Sequence, residues 1–336
     1  MTRWLRRVLG PALAAALALV AAPAFAQTYT ATITNADLGK IVDAPSSATT
    51  FTFAASNGGV SQSGSATRLS TGTVRAEVDF GCTGSGSVCA SDIAVKIQSS
   101  GAYTGKASAI TNFTVSGITN GTIGPVTGTD PITFTITGVP NKNNLPKIYV
   151  GATVTINGNS QSGTNGASTA GFTVLAAKSG SVPATITGGS GSVTAVVDRP
   201  ITFTSTATTL QFGTIYNPKS GTSTIKLDPN LASNPITVTG GDAIAVASPT
   251  PARVAYSIQG EGGQTFSVST TAMNMSNGTN TLPVTLLTST PLPTALSLSP
   301  GSAGTATFYV GGQFDVTPTT PGGTYTGTFN VTVQYN

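Results

Sequence analysis

Three carboxylates occupy positions where a carboxylate enzyme could place its catalytic pair. Glu77 and Asp79 share one face of an alternating segment, and Asp92 follows beyond a pair of cysteines. Glycoside hydrolysis needs only two carboxyl groups at the right separation, so a secreted carboxylate-based hydrolase is one function to consider. A chain with eleven Asp and Glu residues also forms such pairs by chance. Solvated surface charge is therefore the favoured interpretation of these residues.

Other kinds of catalytic site are limited by the residue types present. The sequence contains no histidine and only two cysteines. Without imidazole there is no histidine-based triad, no histidine acid or base and no histidine metal ligand. Two thiolates are too few for a structural metal site. Gly-rich segments do not match a phosphate-binding loop and are typical of turns. We expect no enzyme activity, no cofactor and no metal.

The first 26 residues have the features of a signal peptide. Three arginines lie within the first seven residues, an apolar stretch runs from Val8 to Ala22, and the small-residue site Ala24-Phe25-Ala26 follows. This pattern predicts cleavage before Gln27 and export. We expect the mature chain in the periplasm, on the cell surface or in the extracellular space of a Gram-negative bacterium, with no membrane span.

Loss of the signal peptide changes the charge of the chain. Three of the 15 basic residues leave with it, so 12 Lys and Arg remain against 11 Asp and Glu, a net charge of +1. The remaining charges are scattered singly along the sequence. A nucleic-acid partner would require a basic patch, and none is visible. We expect no nucleic-acid binding.

The two cysteines predict one disulfide, because exported proteins fold in an oxidising compartment. Cys82 and Cys89 flank a flexible stretch, and alternating segments at 74–80 and 93–97 lie on either side. The simplest structure is a β-hairpin whose tip is closed by the disulfide.

The composition favours an all-β fold. The mature chain of 310 residues (336 − 26) is rich in Gly, Thr, Ser and Val, and only 8% of the full sequence is charged. Short alternating segments are separated by turn signals such as Asn120-Gly121 and Asn277-Gly278. This spacing predicts two tandem immunoglobulin-like antiparallel β-sandwiches.

The mature chain has the pattern of a tandem duplication. Matching segments follow in the same order in both halves, and the offset between them changes only by the length of a loop. Gly/Ser-rich sequence near residues 178–192 predicts a linker, which gives an N-terminal sandwich at 27–190 and a C-terminal sandwich at 191–336. The matched pairs are 38–41 with 212–215, 46–53 with 220–227, 75–80 with 253–258, 148–151 with 308–311, and 166–174 with 323–331.

The last fourteen residues alternate strictly between two faces. Apolar or glycine residues hold the odd positions, and Thr, Asn or Gln hold the even ones. Such a strand must pair within its own sheet or with another molecule, because an apolar edge invites partners. The residues expected to mediate this strand pairing are Gly323, Tyr325, Phe329, Val331, Val333 and Tyr335.

Residues 193–336 resemble a secreted bacterial family known as domain of unknown function number 4402. The resemblance rests on four segments in order: 210–213, 256–260, 310–312 and the closing alternating strand, which is the most specific. The N-terminal half keeps fewer of these features and resembles a diverged, enlarged copy. The family name implies no function.

The closing strand also resembles the subunits of chaperone–usher fimbriae. Those subunits end in an alternating strand with a penultimate tyrosine and a glycine fourteen residues from the end, as Tyr335 and Gly323 do here. In that family an incomplete immunoglobulin-like domain is completed by a strand from a chaperone or from the next subunit. The resemblance implies that the immunoglobulin-like sandwiches are pilin-like, and it implies a periplasmic chaperone, an usher or like subunits as partners through the C-terminal strand. The short cysteine loop departs from that family's pattern.

The segment from Gln27 to Leu38 has two interpretations. Tyr29, Ala31 and Ile33 would face one way in a strand donated to another molecule. The favoured interpretation makes the same residues the first strand of the N-terminal sandwich.

Three functions remain open from the sequence. The leading one is a non-enzymatic secreted surface or fimbria-like structural protein that assembles through β-strand pairing. The second is a two-domain adhesin that binds a glycan or surface ligand through its N-terminal domain. The third is the carboxylate-based hydrolase.

Overall fold

The computed structural model describes residues 29–83, 89, 91–180, 188–205, 209–233 and 235–336, so the predicted signal peptide lies outside the described residues. Over these ranges the chain forms twenty-five β-strands, and the all-β prediction is confirmed. Among the described residues, no helix is long and apolar enough to cross a membrane.

The first sheet of the N-terminal sandwich is built around one long strand, β12 (Lys147–Ile156). One edge of β12 pairs with β6 (Ala76–Cys82) and then with β3 (Thr49–Phe53), and its other edge pairs with β8 (Ala107–Thr119). Strands β1 (Tyr29–Thr34) and β4 (Val60–Ser63) complete the sheet next to β6 and β3, respectively.

The second sheet packs on the first and contains two long central strands. β13 (Gly166–Lys178) pairs antiparallel with β7 (Ile93–Thr104) on one side and with β14 (Gly189–Asp198) on the other. The outer strands are β10 (Thr127–Gly128), β9 (Thr122–Ile123) and β11 (Ile132–Thr137) beyond β7, and β2 (Ala36–Val42) and β5 (Thr67–Arg68) beyond β14. β14 runs antiparallel to β13 and parallel to β2, so it joins these two strands in one sheet.

Alternation along these strands places the apolar side chains between the two sheets. They form one continuous core that includes Phe51, Phe53 and Phe172. The rings of Phe113 and Phe172 meet across it, with centroids 5.9 Å apart. β14 contributes Val193, Ala195 and Val197 to this core.

The C-terminal sandwich contains a sheet with the same arrangement as the first sheet of the N-terminal sandwich. Its central strand is β24 (Ala303–Val316), which pairs with β20 (Val254–Glu261), β17 (Ser223–Leu227) and β23 (Thr281–Thr288). The flanking strands are β15 (Thr202–Phe203), β18 (Ile236–Gly240) and β22 (Met273–Ser276).

The rest of the C-terminal sandwich consists of two separate ribbons. β16 (Thr214–Tyr216) pairs with β19 (Ile244–Val246), and β21 (Phe266–Thr270) pairs with β25 (Val331–Tyr335). The apolar residues form two clusters, one around Phe212 and Phe314 and the other around Phe266 and Phe308.

The two sandwiches agree in register as well as in strand order. On β12, Val150 lies opposite Ala76, and on β24, Val310 lies opposite Val254. A cation–π pair is also repeated. Arg75 stacks on Tyr149, and Arg253 stacks on Tyr309, each with the guanidinium carbon 3.6 Å from the ring centroid. All four of these residues lie in segments whose sequences match between the two halves.

The predicted disulfide between Cys82 and Cys89 is formed. The predicted hairpin is wrong, because β6 lies in the first sheet between β1 and β12, while β7 lies in the second sheet between β11 and β13. The disulfide therefore joins the end of β6 in the first sheet to a residue that precedes β7 of the second sheet. Alternation shows that both segments are strands but does not identify their partners.

The strand β14 lies where the sequence predicts a linker and the start of the second sandwich. Its glycines are required by close packing: a Cβ on Gly189 would lie 2.2 Å from the carbonyl oxygen of Ala31, and one on Gly191 would lie 2.5 Å from the ring of Phe172. Because β14 completes the N-terminal sheet, we propose that the boundary between the two sandwiches lies at Arg199 rather than at residue 190.

Candidate functional site

The candidate site is a strand position that is filled in the N-terminal sandwich and open in the C-terminal one. In the N-terminal sheet the order is β7-β13-β14-β2-β5. β21 and β25 correspond to β7 and β13 at the same register, since Lys178 lies opposite Ile93 and Tyr335 lies opposite Phe266. The ribbon of β16 and β19 corresponds to β2 and β5. No strand in the described part of the C-terminal sandwich corresponds to β14.

We call this gap the open strand position and define its walls as residues 209–217 and 320–327. The walls enclose a groove with a volume of about 480 Å³. Phe212 and Phe314 meet edge to face in its floor, with ring centroids 4.9 Å apart, and Met273 and Met275 lie beside them. None of the residues that line the groove is charged. The groove therefore suits an extended, uncharged chain with apolar side chains.

Each wall has backbone hydrogen bonds on the side away from the groove. Gln211 exchanges two backbone hydrogen bonds with Ala252, and Thr326 exchanges two with Ser276. Residues 323–331 correspond to 166–174, which pair with β14 in the N-terminal sandwich. Within the described ranges, no strand pairs with the corresponding edge of 323–331. An unpaired edge next to an uncharged groove with an aromatic floor is the arrangement that accepts an added strand.

The predicted strand-pairing residues are arranged as the alternation indicates. Tyr325 and Phe329 contact the cluster around Phe212, and Phe329 also contacts the cluster around Phe308. The Tyr325 hydroxyl donates to the carbonyl oxygen of Pro321 at 2.9 Å. Gly323 is exposed at the start of the segment, with a φ of +140° that favours glycine.

The C-terminal part of the same segment is β25. Val331, Val333 and Tyr335 are half-buried against the cluster around Phe308. The sequence leaves open whether this strand pairs within its own sandwich or with another molecule. In the structure it pairs with β21 of the same chain, and it directly follows the wall at 320–327.

Tyr335 also fixes the end of β25. Its hydroxyl donates to the carbonyl oxygen of Arg199 at 2.8 Å and accepts from the backbone N–H of Glu261 at 2.7 Å. Burial raises the pKa of Tyr335 to about 12. A Cβ on Gly260 would lie 2.3 Å from this hydroxyl, so glycine is needed there. The structure thus explains one glycine of the family resemblance.

The N-terminal segment that could have been a donated strand is β1, paired antiparallel with β6. The Tyr29 side chain is fully buried, and its hydroxyl donates to the carbonyl oxygen of Ser91 at 3.3 Å. This agrees with the favoured interpretation of the segment.

The candidate carboxylates are engaged by a lysine and by a backbone amide. Lys147 Nζ lies 2.5 Å from Glu77 Oε1 and 3.3 Å from Asp79 Oδ1, so one cation serves both acids. These two hydrogen-bonded carboxylates raise the pKa of Lys147. Asp92 Oδ1 accepts from the backbone N–H of Gly138 at 3.2 Å. Among the described residues, no group of three or more His, Cys, Asp or Glu side chains could hold a metal ion.

Sequence reasoning did not find the groove, although the sequence contains a usable signal. The match between the two halves ends at Val174 and Val331, and 189–198 follows only in the first half. The predicted boundary at residue 190 assigns most of 189–198 to the second sandwich. This assignment hides the fact that the second sandwich has no segment that corresponds to it.

Solved structures that are similar to this chain include three from fimbrial systems. One is the CsuC–CsuE chaperone–tip adhesion subunit complex of archaic Csu pili from Acinetobacter baumannii, at 12% identity, 90% coverage of this chain, 100% coverage of that chain and a TM-score of 0.26. The second is a chaperone–tip adhesin complex of CFA/I fimbriae, at 10% identity, 90% and 97% coverage and a TM-score of 0.24. The third is a mutant of the adhesin CfaE from enterotoxigenic E. coli, at 10% identity, 90% and 93% coverage and a TM-score of 0.25. These TM-scores are low, and neither the fold nor the function rests on them.

A comparison with curated proteins finds no match. A family model does match the C-terminal part of the chain, as the resemblance predicted. The match begins two residues after Arg199 and includes both walls of the open strand position. Residues 201–335 thus match the family described as "Domain of unknown function (DUF4402)".

Proposed function

We propose that this chain is a non-enzymatic surface or fimbria-like structural protein whose C-terminal sandwich assembles by accepting a β-strand from a partner. One observation carries the proposal: at the place that β14 fills in the N-terminal sandwich, the C-terminal sandwich has an uncharged groove between residues 209–217 and 320–327. A strand in that place would join β21, β25, β16 and β19 into one sheet of five strands.

The N-terminal sandwich supports an estimate of what the added strand contributes. β14 pairs with β13 from Val197 opposite Gly166 to Gly189 opposite Val174, and it buries Val193, Ala195 and Val197. Burying a valine side chain contributes about 1.5–3 kcal/mol. A strand of this kind therefore has enough apolar surface to stabilise the C-terminal sandwich by several kcal/mol.

The C-terminal segment then accepts a strand rather than being a strand that is given to a partner. The residues from Gly323 to Tyr335 form the accepting edge, and the partner supplies the strand. By the resemblance to fimbrial subunits, the partner is a periplasmic chaperone, an usher or a like subunit. Such a partner requires export of this chain to the periplasm or beyond.

The test is to supply the missing strand within the same chain. A copy of residues 180–198 is added after Asn336, which reproduces the spacing between β13 and β14. We expect the melting temperature of the C-terminal sandwich to rise on the order of 10 °C, because several kcal/mol of stabilisation corresponds to a shift of that size. Light scattering should show that the extended chain forms fewer complexes with strand-donating partners than the unaltered chain does.

The matched control is the same extension with Val193→Asp and Val197→Asp in the copy only. Charged side chains cannot enter the uncharged groove without a large desolvation cost. Equal melting temperatures for the two extended chains would refute the open strand position as a strand acceptor.

A second function is favoured by the asymmetry between the two sandwiches. The N-terminal sandwich has its own β14 and needs no added strand, which leaves its surface available for a ligand. A two-domain adhesin that binds a glycan through this domain would use the C-terminal sandwich as its anchor. Binding of the full chain to a glycan array, unchanged by the added strand, would support this function, and the absence of binding would count against it.

A further inference from the structure

The end of β25 lies at the junction between the two sandwiches. Only Arg199 and Pro200 separate β14 from the first residues of the C-terminal sandwich. The Tyr335 hydroxyl contacts this connection directly, since it donates to the Arg199 carbonyl oxygen. The last strand of the second sandwich thus holds the connection to the first.

Glu261 organises the side of the junction that belongs to the C-terminal sandwich. Its carboxylate is fully buried and accepts from Arg199 Nη1 at 2.8 Å and from the backbone N–H of Gly301. Arg199 Nη2 also donates to the Gly301 carbonyl oxygen at 3.2 Å. Because the Glu261 N–H donates to Tyr335, the tyrosine and the ion pair belong to one hydrogen-bonded group.

The N-terminal sandwich contributes a second contact. Lys40 Nζ lies 3.3 Å from Asp198 Oδ2 and donates to Gln264 Oε1 at 2.5 Å, so it joins the end of β14 to the C-terminal sandwich. Among the described residues, the Lys40–Gln264 and Tyr335–Arg199 contacts thus tie the C-terminal sandwich to the first sandwich and to the connection. The Tyr335 hydroxyl makes its contact from the end of β25, the strand that follows the wall at 320–327.

We propose that Tyr335 couples occupancy of the open strand position to the stiffness of the junction between the two sandwiches. This inference rests on the proposed function, because it requires a strand that enters the groove. The two sites are distinct: one is the groove at 209–217 and 320–327, and the other is the hydrogen-bonded group around Arg199.

The physical link is the single chain segment that runs from one site to the other. In the N-terminal sandwich β14 pairs with 166–174, which corresponds to 323–331. An added strand would therefore pair along the segment immediately before β25. Strands that are hydrogen-bonded on one edge only open more easily than strands paired on both. A filled groove keeps β25 in place and so keeps the Tyr335 hydroxyl on Arg199 and Glu261.

Coupling of this kind is reciprocal. If an added strand favours the docked tyrosine, then loss of the tyrosine's hydrogen bonds must weaken binding of the strand. One or two neutral hydrogen bonds contribute about 1 kcal/mol, which corresponds to roughly a fivefold change in affinity. The substitution Tyr335→Phe isolates the contribution of the hydroxyl to this change in affinity, because phenylalanine keeps the apolar contacts of the ring.

The experiment compares Tyr335→Phe with Tyr256→Phe. Tyr256 packs against Phe308 in the same apolar cluster and, within the described ranges, its hydroxyl is not part of the hydrogen-bonded group around Arg199. Small-angle X-ray scattering of the full chain measures the spread of distances between the two sandwiches. We expect Tyr335→Phe to broaden that spread and Tyr256→Phe to leave it unchanged. A synthetic peptide with the sequence of residues 189–198 should bind Tyr335→Phe about fivefold more weakly than the unaltered chain.

The added-strand variant completes the test. The extension should narrow the spread of distances in the unaltered chain but not in Tyr335→Phe. Equal narrowing in both chains would overturn the coupling while leaving the proposed function in place. If the extension fails to raise the melting temperature, the proposed function fails, and the coupling fails with it. If Tyr335→Phe without the extension leaves the spread of distances between the sandwiches unchanged, Tyr335 does not stiffen the junction. That result would overturn the coupling and leave the proposed function in place.

Discussion

Asp43 is a buried carboxylate whose protonation should control the stability of the N-terminal sandwich. Its Oδ2 accepts from Asn165 Nδ2 at 2.9 Å, while its Oδ1 has no hydrogen-bond partner among the described residues. The pKa of Asp43 is raised from 3.8 to about 6, chiefly by burial and to a small extent by the negative charge of Glu261. The hydrogen bond from Asn165 and the positive charges of Lys106 and Arg199 lower the pKa by smaller amounts. The substitution Asp43→Asn removes the charge and keeps the size of the side chain.

The sign of the effect follows from proton linkage. Between about pH 4 and pH 6 the folded chain holds a proton on Asp43 that the unfolded chain has released, so stability falls as the pH rises through this window. Above it, the charged carboxylate is buried. A shift of about two pKa units corresponds to roughly 3 kcal/mol at most. We expect Asp43→Asn to be more stable than the unaltered chain at pH 7, by about 2–3 kcal/mol, and to differ little at pH 4.

Urea denaturation followed by circular dichroism measures this at a series of pH values. The control is Asp92→Asn, an exposed carboxylate in the same sandwich, which should not show the gain in unfolding free energy at pH 7. The reasoning is refuted if Asp43→Asn destabilises the N-terminal sandwich at pH 7, or if its unfolding free energy keeps the slope of the unaltered chain between pH 4 and pH 6.

Three further changes test other parts of the structure. Val333→Asp places a charge against the cluster around Phe308 and should lower the unfolding free energy of the C-terminal sandwich by at least about 2 kcal/mol, measured by urea titration. In the same titration the control Thr332→Asp, on the exposed face, should change the unfolding free energy little. Gly260→Ala should displace the Tyr335 hydroxyl and expose the amide of residue 261 to hydrogen exchange; unchanged protection would contradict the close approach. Cys82→Ser should lower the stability of the N-terminal sandwich by about 2 kcal/mol in non-reducing buffer, and an equal loss in the C-terminal sandwich would be unexpected.

Local pattern is enough to predict much of the fold. Alternation identifies strands because successive side chains point to opposite faces, and it predicts from the sequence alone that Phe329, Val331 and Val333 share the inward face. The disulfide follows from two cysteines in an exported chain. The duplication follows from matches such as Arg75 with Arg253, which form the same cation–π pair in both sandwiches.

The partner of each strand could not be predicted, because pairing depends on residues far apart in the sequence. The segments on either side of Cys82 and Cys89 look like a hairpin locally but lie in opposite sheets. The glycines of β14 look like a linker, although close contacts with Ala31 and Phe172 require them. The hydroxyl of Tyr335 has no sequence signal that indicates Arg199 as its partner.

The way in which β14 leaves the N-terminal sandwich has a mechanical consequence. β14 lies between antiparallel β13 and parallel β2 and continues directly into Arg199 and the C-terminal sandwich. The hydrogen bonds of a ladder run across the strands, so tension along β14 would load many of them at once in shear rather than one after another. We expect a pulled molecule to resist force best in the N-terminal sandwich, and single-molecule stretching of the full chain would measure which sandwich yields first. If the protein joins a surface fibre, the domain farther from the accepted strand would then be the one that withstands drag.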